Sequence, residues 1–208
     1  MSATSAGDLQ GNISSGVMPM ITIAGDKNQF SGSHGKSNAR LHNYIREAGA
    51  ELIEVPLPCG DYILVDDKVQ EVLDRKARRG VAVKKMDLLG SYKVAIDTKA
   101  SIQELCGNIC GKDHGRIADE MQLSSNNGIK LIYLISDDKI TNLDDLHKWV
   151  NPRLFIKKRG KQMFPNATRG VTLQKACYTC RTKYGAEFLF CKPYEAGKRI
   201  VEILMGEV

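Results

Sequence analysis

The sequence lacks any apolar run that approaches the roughly 20 residues a membrane-spanning helix needs. Residues 1–19 have neither the basic start nor the apolar stretch of a secretion signal, and they are rich in Ser, Gly and Ala. Residues 1–18 are therefore predicted to form a flexible tail. We expect a protein that stays in the cytoplasm and has no membrane partner.

Acidic residues are absent between Asn151 and Ala186, in a chain with 30 Lys and Arg against 24 Asp and Glu. Gly160 and Pro165 lie inside this stretch, which predicts a long loop or hairpin rather than a helix. Its basic residues favour an anionic partner such as DNA, although a solvated surface is the alternative reading. The predicted DNA contacts are Lys157, Lys158, Arg159 and Lys161.

Apolar periodicity predicts strands and helices that alternate along the chain. Residues 129–135 form a nearly continuous apolar run, which is typical of a strand buried on both faces. The pattern favours an α/β fold with a mixed, largely buried central sheet flanked by helices. We expect a core over residues 19–150, with residues 151–208 adding a basic loop and C-terminal helices to the same domain.

Two local features also follow from spacing and turn residues. The glycines and serines of residues 32–37 predict a flexible loop, with Ser37 capping a helix that ends at Gly49. Residues 81–83 are a short β-branched run that predicts a strand between a second helix and residue 92.

A carboxylate and an amine are spaced for one side of a strand. Asp97 and Lys99 are two residues apart at a predicted strand end, so their side chains should meet. The carboxylate could bind Mg²⁺ or Mn²⁺, while the ammonium holds the attacking water or the phosphate. A second acid must come from a neighbouring strand. Asp61 is the best candidate, because Gly60 before it permits a close approach.

The order of these segments resembles that of the XPF-type nucleases of the PD-(D/E)XK superfamily. Their pattern is a strand ending in an acid, then Gly-Asp-Tyr, then Glu-Arg-Lys. The matching segments here are Ile21 to Asp26, Gly60-Asp61-Tyr62 and Ile96-Asp97-Thr98-Lys99. Residues 101–105 and Gly115-Arg116 are similar to the helix that follows, so the resemblance covers about residues 20–136.

The resemblance implies a restriction-endonuclease-like fold and a Mg²⁺-dependent (or Mn²⁺-dependent) endonuclease selective for branched or flapped DNA. Such enzymes act in DNA repair and recombination, and a two-fold dimer is implied as well. Asp61, Asp97 and Asp26 would be the acids, with the Thr98 carbonyl assisting at the metal and Lys99 at the water or phosphate. A tandem helix-hairpin-helix module is not apparent, so the chain is most similar to compact relatives in phages and bacteria.

A break between two predicted helices carries Lys112, His114 and Arg116. The resemblance places this break near the active site, so all three are candidate DNA contacts. Arg116 is the strongest of them, because a guanidinium can grip a phosphate with two hydrogen bonds. A solvated loop residue is an equally good interpretation of His114.

The sequence departs from the family pattern in three ways. Asp97-Thr98 stands where Glu-Arg is usual, which keeps a metal-binding carboxylate on a shorter side chain. Asn28 and Gln29 stand where an arginine and an acid are usual, and residues 66–92 are inserted. The two amides motivate an alternative function: a DNA-binding or scaffolding module that keeps the nuclease fold without turnover.

The six cysteines raise a third possibility, a zinc-stabilised interaction domain. Cys177-x-x-Cys180 could bind zinc, completed by Cys191 and either His147 or Cys59. The helical spacing of Leu173, Cys177, Cys180 and Tyr184 instead predicts thiols that face the core. Cys106 and Cys110 have the same interpretation, although His114 one turn further on would extend a metal-like array.

Overall fold

The computed structural model describes residues 21–207, and it describes residues 32–37 by their backbone alone. The predicted tail, residues 1–18, lies outside this range. The strands are β1 (Ile21–Gly25), β2 (Ala50–Glu54), β3 (Tyr62–Leu64), β4 (Val94–Lys99), β5 (Lys130–Ser136), β6 (Lys157–Lys158), β7 (Lys161–Gln162) and β8 (Glu187–Cys191). The helices are α1 (Lys27–Phe30), α2 (Gly32–Glu47), α3 (Asp67–Arg78), α4 (Ile102–Cys110), α5 (His114–Asn126), α6 (Gly170–Tyr184) and α7 (Ala196–Leu204).

Six strands form the central sheet, in the order β2-β1-β3-β4-β5-β8. The short strand β3 is antiparallel to both of its neighbours, β1 and β4, whereas β4, β5 and β8 run parallel to one another. The sheet is therefore mixed. Five consecutive residues of β5, from 131 to 135, are buried, as the apolar run predicts. This architecture confirms the predicted α/β fold with helices around a central sheet.

The two faces of the sheet carry separate hydrophobic clusters. Helices α3, α4, α5 and α6 pack on one face, and α2 and α7 pack on the other. Alternation along β5 supplies both clusters: Tyr133 points into the first and Ile132 into the second. Leu173 of α6 packs in the same cluster as Ile102 of α4, so the segment after residue 150 shares its core with the segment before it.

The cysteines lie mainly in these clusters, and all six are free thiols. Cys106, Cys177 and Cys180 are buried in the first cluster, and the half-buried Cys110 packs against it. The helical stripes therefore face the core, as their spacing predicts. Their small apolar side chains fill space between α4, α6 and the sheet.

Two local predictions are wrong. Residues 32–37 form the first turns of α2 rather than a loop, so Ser37 does not cap the helix, and Ser31 stands at its N-terminus instead. Glycine and serine weaken a helix only modestly, and packing on the rest of the helix overrides them. Residues 81–83 belong to no strand, and a 3₁₀ turn at Lys85–Leu88 follows them.

Among residues 21–207, no helix combines the length and apolar character needed to cross a membrane.

The acid-free stretch contains a small hairpin, as its turn residues predict. Strands β6 and β7 pair antiparallel through Lys157↔Gln162 and Lys158↔Lys161. The turn between them has positive φ at both central residues, 50° at Arg159 and 77° at Gly160. This is the conformation that two-residue hairpins favour. We call Lys157, Lys158, Arg159 and Lys161 the basic hairpin.

Candidate active site

The centre of the site is the junction of β3 and β4. The amide of Asp61 donates a hydrogen bond of 2.7 Å to the carbonyl of Ile96 on β4. Gly60 has a φ of +73°, and a Cβ atom built there would lie 2.8 Å from the Cβ of Ala95. Real Cβ atoms do not approach that closely, so only glycine lets the two strands meet here. This contact brings Asp61 to the strand that carries Asp97.

The carboxylate of Asp61 is held by three donors. Its Oδ2 accepts hydrogen bonds of 2.8 Å from both the backbone amide and the hydroxyl of Thr98. Its Oδ1 accepts a hydrogen bond of 2.5 Å from Nε2 of Gln29, whose Oε1 in turn accepts one from Asn38. Burial, followed by the charge of Asp97, raises the pKa of Asp61 to about 7. The hydrogen bonds therefore fix the carboxylate of Asp61 in place, while burial and the charge of Asp97 make its ionised form unfavourable.

Asp97 and Lys99 form an ion pair along β4, as their spacing predicts. Both side chains are buried, with 7% and 6% of their surface exposed. Burial alone would lower the pKa of Lys99, but the charges of Asp97 and Asp61 together outweigh it and raise that pKa. The ammonium thus stays protonated at neutral pH, and its positive charge is available inside the site.

Glu120 on α5 also reaches the site, and the sequence analysis missed it. Its Oε1 accepts a hydrogen bond of 2.8 Å from the amide of Gly60, and its Oε2 lies 3.6 Å from the guanidinium of Arg116. Burial and the charge of Asp97 raise the pKa of Glu120. The only local signal was the i, i+4 spacing of Arg116 and Glu120, which also marks ordinary surface pairs.

These groups line one cleft with a volume of about 990 Å³. Asp61, Asp97, Lys99 and Glu120 all contribute to its wall. The inserted segment contributes Lys85, whose Nζ lies 4.0 Å from the carboxylate of Asp26. Other polar or charged side chains that line the cleft and were not predicted from the sequence include Gln29, Asn38, Arg40, Glu104, Asn108, Asp113 and Asp119.

Asp26 lies at the cleft, but both of its carboxylate oxygens are occupied by backbone amides. Oδ1 accepts from Asn28 at 3.0 Å and caps α1, and Oδ2 accepts from Leu57 at 2.9 Å. The amide of Asp26 itself donates to the carbonyl of Asp61. This geometry favours a supporting role, in which Asp26 fixes the chain next to Asp61.

The predicted DNA contacts fall into two groups. Arg116 lines the cleft, and 66% of its side chain is exposed, so its guanidinium is accessible to a ligand beside its ion pair with Glu120. His114 and Lys112 are exposed but are not part of the cleft wall, and Nδ1 of His114 lies 2.8 Å from the carbonyl of Ile109. The basic hairpin also lies outside the cleft wall.

A divalent ion fits the donors of the cleft. Among the side chains that the structure describes, no group of three or more from His, Cys, Asp and Glu is arranged as a ready metal cage. Mg²⁺ needs less, because it usually binds one or two carboxylates and completes its shell with water and phosphate oxygens. The carboxylates of Asp61, Asp97 and Glu120 share the cleft with the ammonium of Lys99, and Asp97 raises the pKa of both other acids. Added positive charge would relieve this repulsion.

Comparison with known proteins identifies the family. None of the curated proteins matches this chain. XPF from Aeropyrum pernix shares its fold, with 13% identity and a TM-score of 0.50 over 89% of this chain and 65% of that one. XPF from Aeropyrum pernix in complex with DNA gives 14% identity and a TM-score of 0.50 over 88% and 62%. The chain thus spans less than two thirds of either structure.

These similarities confirm the predicted XPF-type nuclease fold. The model of the ERCC4 domain matches residues 26–202, and this chain therefore belongs to the ERCC4 domain family.

Proposed function

We propose that the protein is a divalent-metal-dependent endonuclease that hydrolyses phosphodiester bonds in branched or flapped DNA. The observation that carries the proposal is the buried ion pair of Asp97 and Lys99 beside Asp61 in an open cleft. Membership of the ERCC4 domain family supports a nuclease, and the fold shared with an XPF–DNA complex supports DNA as the ligand.

Asp61 and Asp97 would hold Mg²⁺ (or Mn²⁺). The amide of Thr98 points to Asp61, and the N–H and C=O of one strand residue project to the same side, so the Thr98 carbonyl can assist. A bound divalent ion would polarise the phosphate and make water more acidic. The protonated Lys99 can donate a hydrogen bond to the attacking water or to a phosphate oxygen. Arg116, at the rim, can bind a flanking phosphate.

Cleavage of flap, fork, four-way-junction and linear DNA with Mg²⁺ tests the proposal. Asp61→Ala and Asp97→Ala should abolish cleavage and leave DNA binding intact, because each removes a metal ligand. Circular dichroism verifies that each variant is folded, which matters most for Asp97→Ala because it leaves the buried Lys99 unpaired. Asp138→Ala, which removes an exposed acid, is the matched control and should cleave like the wild type. Wild-type activity in either site variant would overturn the site, and equal cleavage of linear DNA would overturn the selectivity.

The second candidate is a nuclease-fold DNA-binding module without turnover. Gln29 supports it, because an amide here occupies Oδ1 of Asp61 at a position where the family pattern has an acid. This candidate predicts tight DNA binding and no Mg²⁺- or Mn²⁺-dependent product with any of the substrates. A product that disappears in Asp97→Ala excludes it.

We also propose a two-fold dimer, on the resemblance to XPF-type nucleases alone. Light scattering measures the molecular mass directly. A mass twice that of the 23.0 kDa chain supports the dimer, and the single-chain mass across the accessible concentration range overturns it.

A further inference from the structure

Large apolar side chains surround the basic hairpin and are open to solvent. Phe155 is 70% exposed, and Ile156, Met163 and Phe164 are each more than 40% exposed. Scattered apolar side chains are normal on protein surfaces, but these four are concentrated within ten residues of one hairpin, and we call them the apolar patch; such concentrations are typical of binding sites. The patch is bounded by the lysines and arginine of the basic hairpin.

Hydrogen bonds tie the segment that carries the patch to the rest of the domain and across its own ladder. The buried Asn151 closes its base, with Nδ2 donating to the carbonyl of Thr168 at 2.9 Å and Oδ1 accepting from Arg153 at 3.0 Å. The amide of Met163 donates to the carbonyl of Ile156 at 2.9 Å, which extends the hairpin ladder beyond Lys157. An ordered surface loses little conformational freedom when it binds a ligand.

In the part of the chain that the structure describes, the charges of the hairpin have no acidic partner. Lys158 and Lys161 are directly opposite each other on β6 and β7, an arrangement that repels. Among residues 21–207, no acidic side chain forms an ion pair with any member of the basic hairpin. The guanidinium of Arg153 lies 5.8 Å from the ring centre of Phe164, so positive charge and aromatic surface are already combined.

The positive charge of the basic hairpin and the exposed aromatic rings beside it together indicate the class of ligand. A second copy of the chain, docked by two-fold symmetry on this patch, would bring two basic hairpins together. The backbone of duplex DNA would match the charge but would leave the rings unused. An unpaired strand matches both, because its phosphates bind lysine and arginine while its exposed bases stack on aromatic rings.

We propose that the basic hairpin, with Phe155 and Phe164, is a binding site for single-stranded nucleic acid. Asn151 also contacts Cys106 on α4, and Glu104 and Asn108 of the same helix line the cleft. One helix therefore separates this site from the carboxylates. The site goes beyond the proposed cleavage reaction, because its binding can be measured without a divalent ion.

Fluorescence anisotropy with a labelled single strand of about 16 nucleotides, in chelator, tests the proposal. Phe155→Ala should weaken binding about 5- to 150-fold, as loss of one stacked base predicts. Phe155→Leu, which keeps apolar area without a ring, should weaken it similarly, and Phe155→Trp should preserve it. Duplex DNA should bind all these variants alike. Tyr194→Ala, which removes another exposed aromatic side chain, is the control and should bind as the wild type does.

Other outcomes overturn the proposal. Unchanged single-strand binding in Phe155→Ala would remove the ring from the site, and an equal loss on single strand and duplex would make the hairpin a backbone contact alone. A Phe155→Ala variant that changes oligomeric state, with unaltered DNA binding, would make the patch a protein interface. Circular dichroism of each variant verifies folding. If the wild-type protein binds single strands but shows no Mg²⁺-dependent cleavage, only the proposed function is rejected.

Discussion

Substitution of Gly60 by alanine tests the close approach of β3 and β4. The new methyl group would have two consequences. It would force a side-chain-bearing residue into a φ of +73°, and it would lie 2.8 Å from the Cβ of Ala95 and 3.2 Å from the carbonyl oxygen of Ile96. A backbone carbonyl in a sheet cannot move aside cheaply. We therefore expect both an unfavourable backbone conformation and a local separation of the strands.

Gly80→Ala is the matched control. Gly80 has a φ of +62°, but a Cβ atom there meets no described heavy atom within 4 Å. The control thus carries only the backbone cost, about 1–2 kcal/mol, whereas Gly60→Ala adds overpacking of about 1–3 kcal/mol. For a chain of this size, the difference corresponds to a melting temperature about 2–12 °C lower than that of the control.

Denaturant unfolding of both variants measures the two free energies of unfolding. Gly60→Ala should also lower cleavage more than Gly80→Ala, because Asp61 moves with its backbone. Equal destabilisation by the two substitutions would refute the steric argument. If Gly60→Ala were as stable as Gly80→Ala but did not cleave, the strands would separate at little cost in free energy. The role of Gly60 would then be to position Asp61 and not to stabilise the fold.

Three further results are expected. Lys99→Ala should lose cleavage but keep Mg²⁺ affinity in calorimetry, and loss of that affinity would contradict the separate roles of the ammonium and the carboxylates. Alanine at all four positions of the basic hairpin should lower the slope of log K against log salt by about 0.9 per lost duplex phosphate contact. The control, alanine at Lys68, Arg75 and Arg78 on α3 and at Arg79 directly after it, removes the same charge and should leave the slope nearly unchanged. Burial raises the pKa of all six thiols, so alkylation at neutral pH should be slow until denaturant unfolds the chain, and rapid reaction of the native protein would contradict their burial.

The parts of the fold that sequence predicts are those with local causes. The apolar run of β5 and the cysteine stripe of α6 each reflect one element against the core, and the structure places both as expected. The pairing of Asp97 with Lys99 follows from the two-residue period of a strand. The hairpin turn follows from Gly160, which accepts a positive φ.

The parts that sequence did not predict depend on long-range packing. Glu120 reaches Gly60, 60 residues earlier in the chain, only because α5 packs beside the sheet. The bond from Gln29 to Asp61 likewise joins residues 32 positions apart. The sequence shows Gln29 only as an amide in place of an acid, and its contact with Asp61 appears only in the fold. No periodicity encodes such contacts.

The inserted segment joins two antiparallel neighbours, β3 and β4, which pair through Tyr62 and Ile96. This connection is more than a loop, because Val69, Leu88 and Tyr92 are buried in the first hydrophobic cluster. Replacing the whole segment would therefore remove core side chains as well as surface ones. Lys85 is different, since its side chain is exposed and reaches the cleft beside Asp26. The segment thus combines two constraints: its buried side chains are bound to the core, whereas Lys85 can change and alter the charge of the cleft without loss of apolar packing.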